Sequence, residues 1–541
     1  MKILLSIIAI MFLMIAILFF GLYHQFGSIN NIPNFETILY LLKSQHPKYP
    51  DSIMILTVYI IATIFLPILF IVSLFKYKHN NEYGYARYAT FDDIKKFKLN
   101  SKSGIILGQR GTRLLRSQEP LSTLCVAPPG TGKSAGFTIP NALAYEQSLF
   151  VLDIKGEISE KTAAYRSNFS KIIIFDPANK ENKTGFNPFD KSIIKNFDQN
   201  EINQHVLQIA ELIFQNSKVS NSDMSHWYLE SKNLFVFIAI YLIFISQKSN
   251  TLISIPGIRS FALSSQNLKE HIFEILEENQ DLPQLARELG NALIQKAEKE
   301  FSGLFSTFQT KLLVFQDDYV AKSFSFNSFT PEQFREENIS FYLKIKDIDA
   351  ERLAPLVRLT LDFIVKSLLK KEKEKNDLNI LFLLDEFPRF GSIPILLKLP
   401  AIGRSYGLLA MFFFQSNGQI AEIYQRHGME ELDATTAYKI ILTQNEAQTA
   451  KSFSDSIGNT TRLIKKGTSK SKNNDFFSSN SGSSSSNENL EGVPLIRTDE
   501  LLSLPFGEII VLVQGFRNIP IKAKTPFWFK NPQMLEAVEK I

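Results

Sequence analysis

The chain has 541 residues, of which 45% are hydrophobic and 21% are charged, and its net charge is +5. This composition excludes a disordered or fibrous protein, and the length leaves room for two soluble domains besides any membrane part. Cys125 is the only cysteine, which excludes an internal disulfide framework, and the mild charge permits nucleic-acid binding without arguing for it.

Two apolar segments near the N-terminus predict a transmembrane region over residues 1–78. Neither residues 3–20 nor residues 53–75 contain a charged side chain, and each segment approaches the roughly 20 residues that span a bilayer. We predict helices over about 3–22 and 53–75 joined by a periplasmic loop, with the lipid bilayer as a partner. Lysine and arginine residues after the second segment place both ends in the cytoplasm. A cleaved signal peptide is the alternative for the first segment, which lacks a small-residue cleavage site.

A phosphate-binding loop follows a predicted strand over residues 121–126, in which Cys125 is expected to be a small buried hydrophobe. The loop has the sequence APPGTGKS, with Ala127 in place of the usual first glycine. We expect its backbone N–H groups to surround the β-phosphate of ATP, the Lys133 ammonium to reach the β and γ oxygens, and the Ser134 hydroxyl to bind Mg²⁺. The predicted nucleotide-binding residues are Pro129, Gly130, Thr131, Gly132, Lys133 and Ser134.

Short apolar runs predict the remaining strands of the soluble part. They cover residues 149–152, 172–175, 341–345, 380–384, 408–414, 439–443 and 509–513. Because these runs alternate with helical segments, we predict the α/β fold class, with a mostly parallel sheet covered on both faces. The layout is RecA-like, and this nucleotide-binding domain covers residues 79–190 and 326–541.

The segments between these strands have their own patterns. Residues 191–325 show helical periodicity with hardly any strand signal and predict an inserted all-α domain, in which His226 and Trp227 are interpreted as core residues without a chemical role. An amphipathic helix is predicted over residues 354–369 with Pro355 in its first turn. The Ser- and Asn-rich residues 467–492 predict a mobile loop.

Acidic and amide side chains follow three of the predicted strands. Asp385 and Glu386 come directly after residues 380–384, which is typical of a Walker B site: Asp385 would hold Mg²⁺ and Glu386 would orient the attacking water. Gln415 ends the strand over residues 408–414 and is interpreted as a γ-phosphate sensor, with a backbone-bonded strand cap as the alternative. Two interpretations are equally open for Asp153, Lys155 and Glu157. These residues have a role near the nucleotide or between subunits, or they belong to a solvated loop.

Several motifs in this order resemble one family. Besides the two nucleotide motifs they are DIKGE at 153–157, FDP at 175–177, NP at 187–188, FPRFG at 387–391, GRSYG at 403–407 and QS at 415–416. Together they resemble the type IV secretion system coupling proteins of the TraG/TraD class. The resemblance implies an inner-membrane ATPase whose cytosolic part forms a homo-hexameric ring, and which recruits DNA–relaxase complexes or effector proteins to a secretion channel.

Arg404 lies in the GRSYG motif and is interpreted as an arginine finger that reaches a neighbouring subunit's γ-phosphate. A surface ion pair is the alternative for Arg404, and Arg389 or Arg426 are alternative fingers. Two other functions stay open: a nucleotide-dependent receptor with little motor activity, and an FtsK-type DNA translocase. The sequence does not distinguish DNA cargo from protein cargo. Because it ends soon after the last predicted strand, we expect the helical insertion or adaptor proteins to recognise the cargo.

Overall fold

The computed structural model describes residues 82–214, 222–249, 251–468 and 486–539. Residues 83–541 form one compact unit, and only residue 82 is described in the unit that precedes it. Both predicted transmembrane helices lie outside the described residues, so they stay predictions.

Thirteen strands are found in the described ranges. They are β1 (Ile105–Arg110), β2 (Arg113–Ser117), β3 (Thr123–Val126), β4 (Ser148–Ile154), β5 (Lys171–Phe175), β6 (Ile339–Ile345), β7 (Ile380–Leu384), β8 (Leu408–Phe414), β9 (Tyr438–Ile441), β10 (Asn459–Thr468), β11 (Ser486–Pro494), β12 (Glu508–Val513) and β13 (Ile521–Lys524). Eleven of them form one sheet in the order β2-β1-β13-β12-β9-β3-β8-β7-β4-β6-β5, and β10 pairs with β11.

Seven neighbouring strands of the sheet, from β9 to β5, run parallel to one another. Along β7, Leu381 and Leu383 face one apolar layer, whereas Phe382 and Leu384 face the other. Strands that are buried on both faces read as uninterrupted apolar runs. The predicted α/β class is therefore confirmed. The sheet continues beyond β9 with β12, β13, β1 and β2, which pair antiparallel, and the sequence analysis identified only β12 among these four.

Eighteen α-helices lie in the described part of the chain. They are α1 (Phe91–Lys96), α2 (Ile139–Ala144), α3 (Glu157–Arg166), α4 (Lys191–Ile194), α5 (Gln199–Phe214), α6 (Ser222–Ser249), α7 (Ile255–Ser264), α8 (Leu268–Glu278), α9 (Gln284–Ile294), α10 (Glu298–Lys311), α11 (Asp318–Ser323), α12 (Gln333–Glu336), α13 (Ala350–Leu368), α14 (Pro394–Ile402), α15 (Asn417–Thr435), α16 (Ala447–Ile457), α17 (Thr498–Leu502) and α18 (Pro532–Glu539).

In its described residues, the segment between β5 and β6 contains the helices α4 to α12 and no strand. Its longest helix, α6, is buried over residues 234–240 among its neighbours, and Trp227 packs against the same core. By length and composition, His226–Ser249 is the one helix of the described residues that could cross a membrane. Its burial by neighbouring helices accounts equally well for this apolar composition. His226 is exposed and lies 3.5 Å from Glu300.

The predicted amphipathic helix is longer than the sequence indicated. Helix α13 begins at Ala350, four residues before the predicted start, so Pro355 lies inside the helix and not in its first turn. Proline has no N–H to donate to the carbonyl four residues earlier, so it is tolerated more readily in the first turn of a helix than in its interior. The apolar stripe of α13 is buried as expected, since Leu356, Val357 and Leu361 are at most 2% exposed.

Part of the Ser- and Asn-rich segment is ordered, which differs from the prediction of a loop over residues 467–492. Strand β10 extends to Thr468, and β11 begins at Ser486 and pairs with it antiparallel. A two-stranded ladder forms hydrogen bonds between backbone N–H and C=O groups and does not require apolar side chains. Composition alone therefore does not predict it. Residues 469–485 lie outside the described residues.

Candidate functional site

The carboxyl ends of four adjacent parallel strands meet at one edge of the sheet. From β3 the chain enters the phosphate-binding loop, whereas β8 leads to Gln415, β7 to Asp385 and Glu386, and β4 to the segment that starts at Asp153. This edge is where open α/β sheets bind ligands. The structure therefore brings together the predicted site residues except Arg404.

The backbone of the phosphate-binding loop is shaped by two glycines. Gly130 and Gly132 have φ angles of 78° and 86°, a region that disfavours other residues. The Thr131 hydroxyl donates to the Pro128 carbonyl at 2.7 Å and closes the turn, and Pro129 lies within it. A π-helical turn over Ser134–Thr138 follows and continues as α2. The loop thus leads directly into a helix start, where free N–H groups favour anions.

Lys133 is almost completely buried, with 6% of its surface exposed. Its ammonium group donates to the carbonyl oxygen of Ala127 at 2.6 Å, so the side chain folds back over its own loop. The amide of Ala127 in turn donates to the Phe414 carbonyl at 3.0 Å, which joins the loop to the end of β8. This hydrogen-bond acceptor is a neutral carbonyl, although the Asp385 carboxylate also interacts electrostatically with Lys133. A bound anion would add charged acceptors for the ammonium group.

The Ser134 hydroxyl donates to Asp385 Oδ2 at 3.1 Å, which joins the two nucleotide motifs. Burial, and then the neighbouring Glu386 carboxylate, raise the pKa of Asp385 to about 6. Among the described residues, no donor reaches the buried Asp385 Oδ1 atom. A buried carboxylate oxygen without a donor beside a serine hydroxyl fits the hard oxygen ligands that Mg²⁺ prefers.

Glu386 follows Asp385 with a left-handed backbone, at φ 44° and ψ 34°, which is uncommon for a residue other than glycine. Its carboxylate lies 3.3 Å from the guanidinium of Arg389, which also pairs with Asp347. Arg389, one of the alternative arginine fingers, is thus bound to the catalytic candidate of its own subunit. Positive φ angles at non-glycine residues are found preferentially at functional sites.

Gln415 lies beside the loop, and its backbone N–H donates to Gln419 Oε1 at 2.9 Å. A second glutamine, Gln444, was not identified from the sequence. It is buried at the end of β9 and donates to the carbonyl oxygens of Val126 at 3.0 Å and Leu442 at 2.7 Å. Gln444 therefore holds the residue that precedes the loop. Its contact spans 318 positions of the chain, so no local pattern could have indicated it.

Asn141 is the other positioning residue that the sequence analysis missed. It is fully buried in α2, accepts from the Ile106 N–H at 2.7 Å, and donates to the Ile106 carbonyl at 3.0 Å. This pair of bonds fastens the helix after the loop to β1. An asparagine among apolar residues, about two helical turns after the loop, was a signal that could have suggested such a tie.

The segment from Asp153 to Glu157, which begins at the end of β4, is only partly solvated. Asp153 is fully buried and accepts from the N–H groups of Ile158 at 3.2 Å and Ser159 at 2.8 Å, so it caps the start of α3. Burial raises the pKa of its carboxyl group. Lys155 and Glu157 are exposed. The solvated-loop interpretation is therefore wrong for Asp153. Lys155 is an exposed residue between β4 and α3, whereas Glu157 is the exposed first residue of α3.

Arg404 lies away from these residues. It precedes β8 and therefore lies at the amino ends of the parallel strands, where its guanidinium contacts Glu119 Oε2 at 3.1 Å. Its side chain is 64% exposed. Arg426 is more exposed still and pairs with Glu430 at 2.9 Å on α15. In its own subunit Arg404 forms the ion pair that was its alternative interpretation.

Comparisons with known proteins identify similar chains. Residues 87–541 match the family described as type IV secretory system conjugative DNA transfer. The conjugal transfer protein TraG of Escherichia coli is 25% identical over 446 residues, which cover 77% of this chain and 69% of TraG. Protein VirD4 of Agrobacterium fabrum is 24% identical over 477 residues, which cover 86% of this chain and 68% of VirD4.

Solved structures of the plasmid coupling protein TrwB have the same fold. The complex with the GTP analogue GDPNP superposes with a TM-score of 0.58 at 17% identity and covers 81% of this chain and 93% of TrwB. The complex with ADP and Mg²⁺ has a TM-score of 0.56 at 16% identity and covers 82% and 94%. The similarity extends over most of both chains.

Proposed function

Because the chain belongs to the family of type IV secretory system conjugative DNA transfer proteins, we propose that it is an inner-membrane coupling ATPase. It recruits substrates to a type IV secretion channel and drives their transfer by ATP hydrolysis. The hydrogen bond between Ser134 and Asp385 carries the enzymatic part of this proposal, since it joins two motifs that are 251 positions apart in the chain. Relatives named as coupling and conjugal transfer proteins support the secretion part.

ATP binds through the loop and the residues around it. The N–H groups from Gly130 to Ser134 surround the β-phosphate, and the Lys133 ammonium moves from the Ala127 carbonyl to the phosphate oxygens. The phosphate oxygens are negatively charged acceptors, so they stabilise the ammonium group more strongly than the neutral Ala127 carbonyl does. Gln415, at the end of the strand beside the loop, contacts the γ-phosphate.

Ser134 and Asp385 would hold Mg²⁺, which would neutralise phosphate charge when it is bound. Glu386 orients the attacking water and accepts its proton, and it must first leave its contact with Arg389. Positioning and charge stabilisation account for most of the catalysis of phosphoryl transfer, so these few groups suffice.

The wider architecture is proposed on the family relationship. Two transmembrane helices over residues 3–22 and 53–75 anchor the chain in the inner membrane. The RecA-like domain assembles as a hexameric ring, and the helices between β5 and β6 form an inserted domain that contacts DNA–relaxase complexes or effector proteins.

The test is the ATPase rate of the full chain in detergent, with and without single-stranded and double-stranded DNA, over a series of salt concentrations. DNA stimulation that weakens steeply with salt is expected for a DNA-moving coupling protein, because binding through phosphate contacts releases counterions. The matched control is Lys133→Ala, which should lose turnover at every salt concentration and keep its membrane insertion.

Two outcomes would change the proposal. Nucleotide binding with negligible turnover under all conditions would favour a receptor that uses nucleotide only for assembly. Turnover that DNA leaves unchanged, but that a candidate effector protein raises, would identify protein as the cargo. Normal turnover by Lys133→Ala would contradict the site itself.

A further inference from the structure

Three phenylalanines stack beside the phosphate-binding loop, and none of them has a role in the chemistry above. The ring of Phe527 stacks on that of Phe506, with centroids 5.3 Å apart and planes at 18°, and on that of Phe529, at 5.2 Å and 22°. Phe506 precedes β12 and Phe527 follows β13. Since β12 pairs antiparallel with β9, its first residues lie at the edge of the sheet that holds the loop.

Of the stacked phenylalanines (Phe506, Phe527 and Phe529), Phe527 and Phe506 approach the loop closely. A Cβ atom added at Gly132 would lie 2.7 Å from Phe527 Cε1 and 3.7 Å from Phe506 Cζ. In the next turn, a Cβ at Gly136 would lie 2.2 Å from Thr525 Cγ2. Both glycines therefore leave room for an aromatic wall against the backbone that binds phosphate.

The wall is buried on one side and open on the other. Phe527 is 3% exposed, whereas Phe506 is 69% exposed although it lies against a buried ring. The backbone holds the two segments together, because the Thr525 N–H donates to the Gly507 carbonyl at 2.8 Å and the Phe527 N–H donates to the Thr525 carbonyl at 3.0 Å. An exposed ring that already packs flat against a second ring loses little conformational freedom when a ligand binds. Such a ring is therefore preorganised for stacking.

We propose that Phe506 is the surface on which the base of the bound nucleotide stacks, with Phe527 as its support. This inference rests on the proposed function, because the phosphates of the same nucleotide occupy the loop next to Gly132. Stacking recognises the π-face that every base has, so it tolerates different bases. The site is therefore expected to accept purine nucleotides with little preference between adenine and guanine.

The test compares ligands with and without a base. Binding of ADP, GDP and inorganic tripolyphosphate, each with Mg²⁺, is measured on the full chain in detergent by calorimetry. Phe506→Ala should weaken ADP and GDP by roughly 5- to 100-fold, the range typical of one base–aromatic stack, and leave tripolyphosphate binding unchanged. Phe506→Trp should retain nucleotide binding, because it restores an aromatic face.

Phe529→Ala is the matched control, since it removes an exposed ring that stacks on the same Phe527; it should leave all three affinities within about twofold. Equal losses for nucleotides and tripolyphosphate in Phe506→Ala would indicate a distorted loop and overturn the proposal. So would unchanged ADP binding, or a loss of oligomers without a change in ADP affinity. If the wild-type chain binds none of the three ligands, the proposed function fails together with this inference, whereas the other outcomes leave that function intact.

Discussion

The carboxylate of Asp385 is both a proposed metal ligand and a source of instability for the folded chain. Its pKa is raised to about 6, chiefly by burial, whereas an aspartate in an unfolded chain titrates near 3.9. Between these pH values the folded state holds a proton that the unfolded state has released. The free energy of unfolding therefore falls as the pH rises through this window, by on the order of 3 kcal/mol in total.

We expect Asp385→Asn to be more stable than the wild type at pH 7.5 in the absence of nucleotide and Mg²⁺. Asparagine keeps an oxygen that accepts from Ser134 and removes the buried charge. Thermal unfolding should show a higher Tm for the variant at pH 7.5 and equal Tm values near pH 4. Mg²⁺ with ADP should raise the Tm of the wild type only. A lower Tm for the variant at pH 7.5 would contradict the argument.

Glu386→Gln should separate nucleotide binding from hydrolysis. Glutamine preserves the shape of the side chain but does not accept a proton from water, so we expect the ATPase rate to fall by roughly 100-fold or more. ATP affinity should stay within a few-fold of the wild type. Equilibrium binding of ATP and single-turnover hydrolysis by the same preparation measure the two effects.

Glu157→Gln is the matched control for that variant. Glu157 is an exposed glutamate that follows the neighbouring strand β4 at the same edge of the sheet. It should hydrolyse ATP at the normal rate. If Glu386→Gln also does so, the residue that orients the water lies elsewhere.

At the scale of single elements, His205 joins α5 to α13. Its ring lies 5.7 Å from that of Phe363 and 5.3 Å from that of Phe197, and its Nε2 is 2.7 Å from the Pro188 carbonyl. Burial lowers the pKa of His205 to about 4. The neutral imidazole donates to this carbonyl, and protonation would add a charge among aromatic rings.

The stability of this helix pair should therefore depend on pH. Between pH 6.5 and about 4 the unfolded state binds a proton that the folded state does not, so the free energy of unfolding falls as the pH falls, by on the order of 3 kcal/mol. His205→Gln keeps a donor for Pro188 and should lose this part of the dependence. Urea unfolding at pH 8 and pH 4.5 measures it, and equal pH dependence in both proteins would contradict the prediction.

How well each element could be predicted depended on its surroundings. The bounds predicted for β7 and β8, residues 380–384 and 408–414, are those of the structure, because strands buried on both faces are continuous apolar runs. Strands β2 and β13 were missed. Their sequences, RLLRS and IKAK, mix charged and apolar residues, as expected where one face meets solvent.

The candidate site shows the same division between features that the local sequence predicts and features that it does not. Lys133, Ser134, Asp385 and Glu386 could be predicted as site residues because each follows a strand within a local motif. Gln444 and the stacked phenylalanines depend on contacts between distant segments, so only the folded chain brings them to the loop. Arg404 belongs to a third class, because its predicted role needs a neighbouring subunit.

At the scale of the whole molecule, the two edges of the parallel strands carry different groups. The proposed nucleotide site lies at the carboxyl ends, whereas Arg404 and Glu119 lie at the amino ends. In the proposed ring each subunit offers a different face to each neighbour, so an exposed arginine of one subunit can complete the site of the next. The Arg404 guanidinium has this exposure and a single carboxylate contact at 3.1 Å.

Mixing of subunits tests whether Arg404 acts in this way. Arg404→Ala has an intact loop and lacks the guanidinium, whereas Lys133→Ala lacks the loop lysine and keeps Arg404, so each variant alone should have little ATPase activity. In an equal mixture that reassembles at random, roughly a quarter of the interfaces combine an intact loop with an intact arginine, so activity should recover toward that fraction. Mixing Arg404→Ala with the variant that carries both Arg404→Ala and Lys133→Ala should give no recovery.

Glu119→Ala should be fully active, because an exposed ion pair contributes about 0–1 kcal/mol to stability. Full activity of Arg404→Ala alone would contradict the role as an arginine finger. The ion pair with Glu119 would then be the remaining interpretation of Arg404.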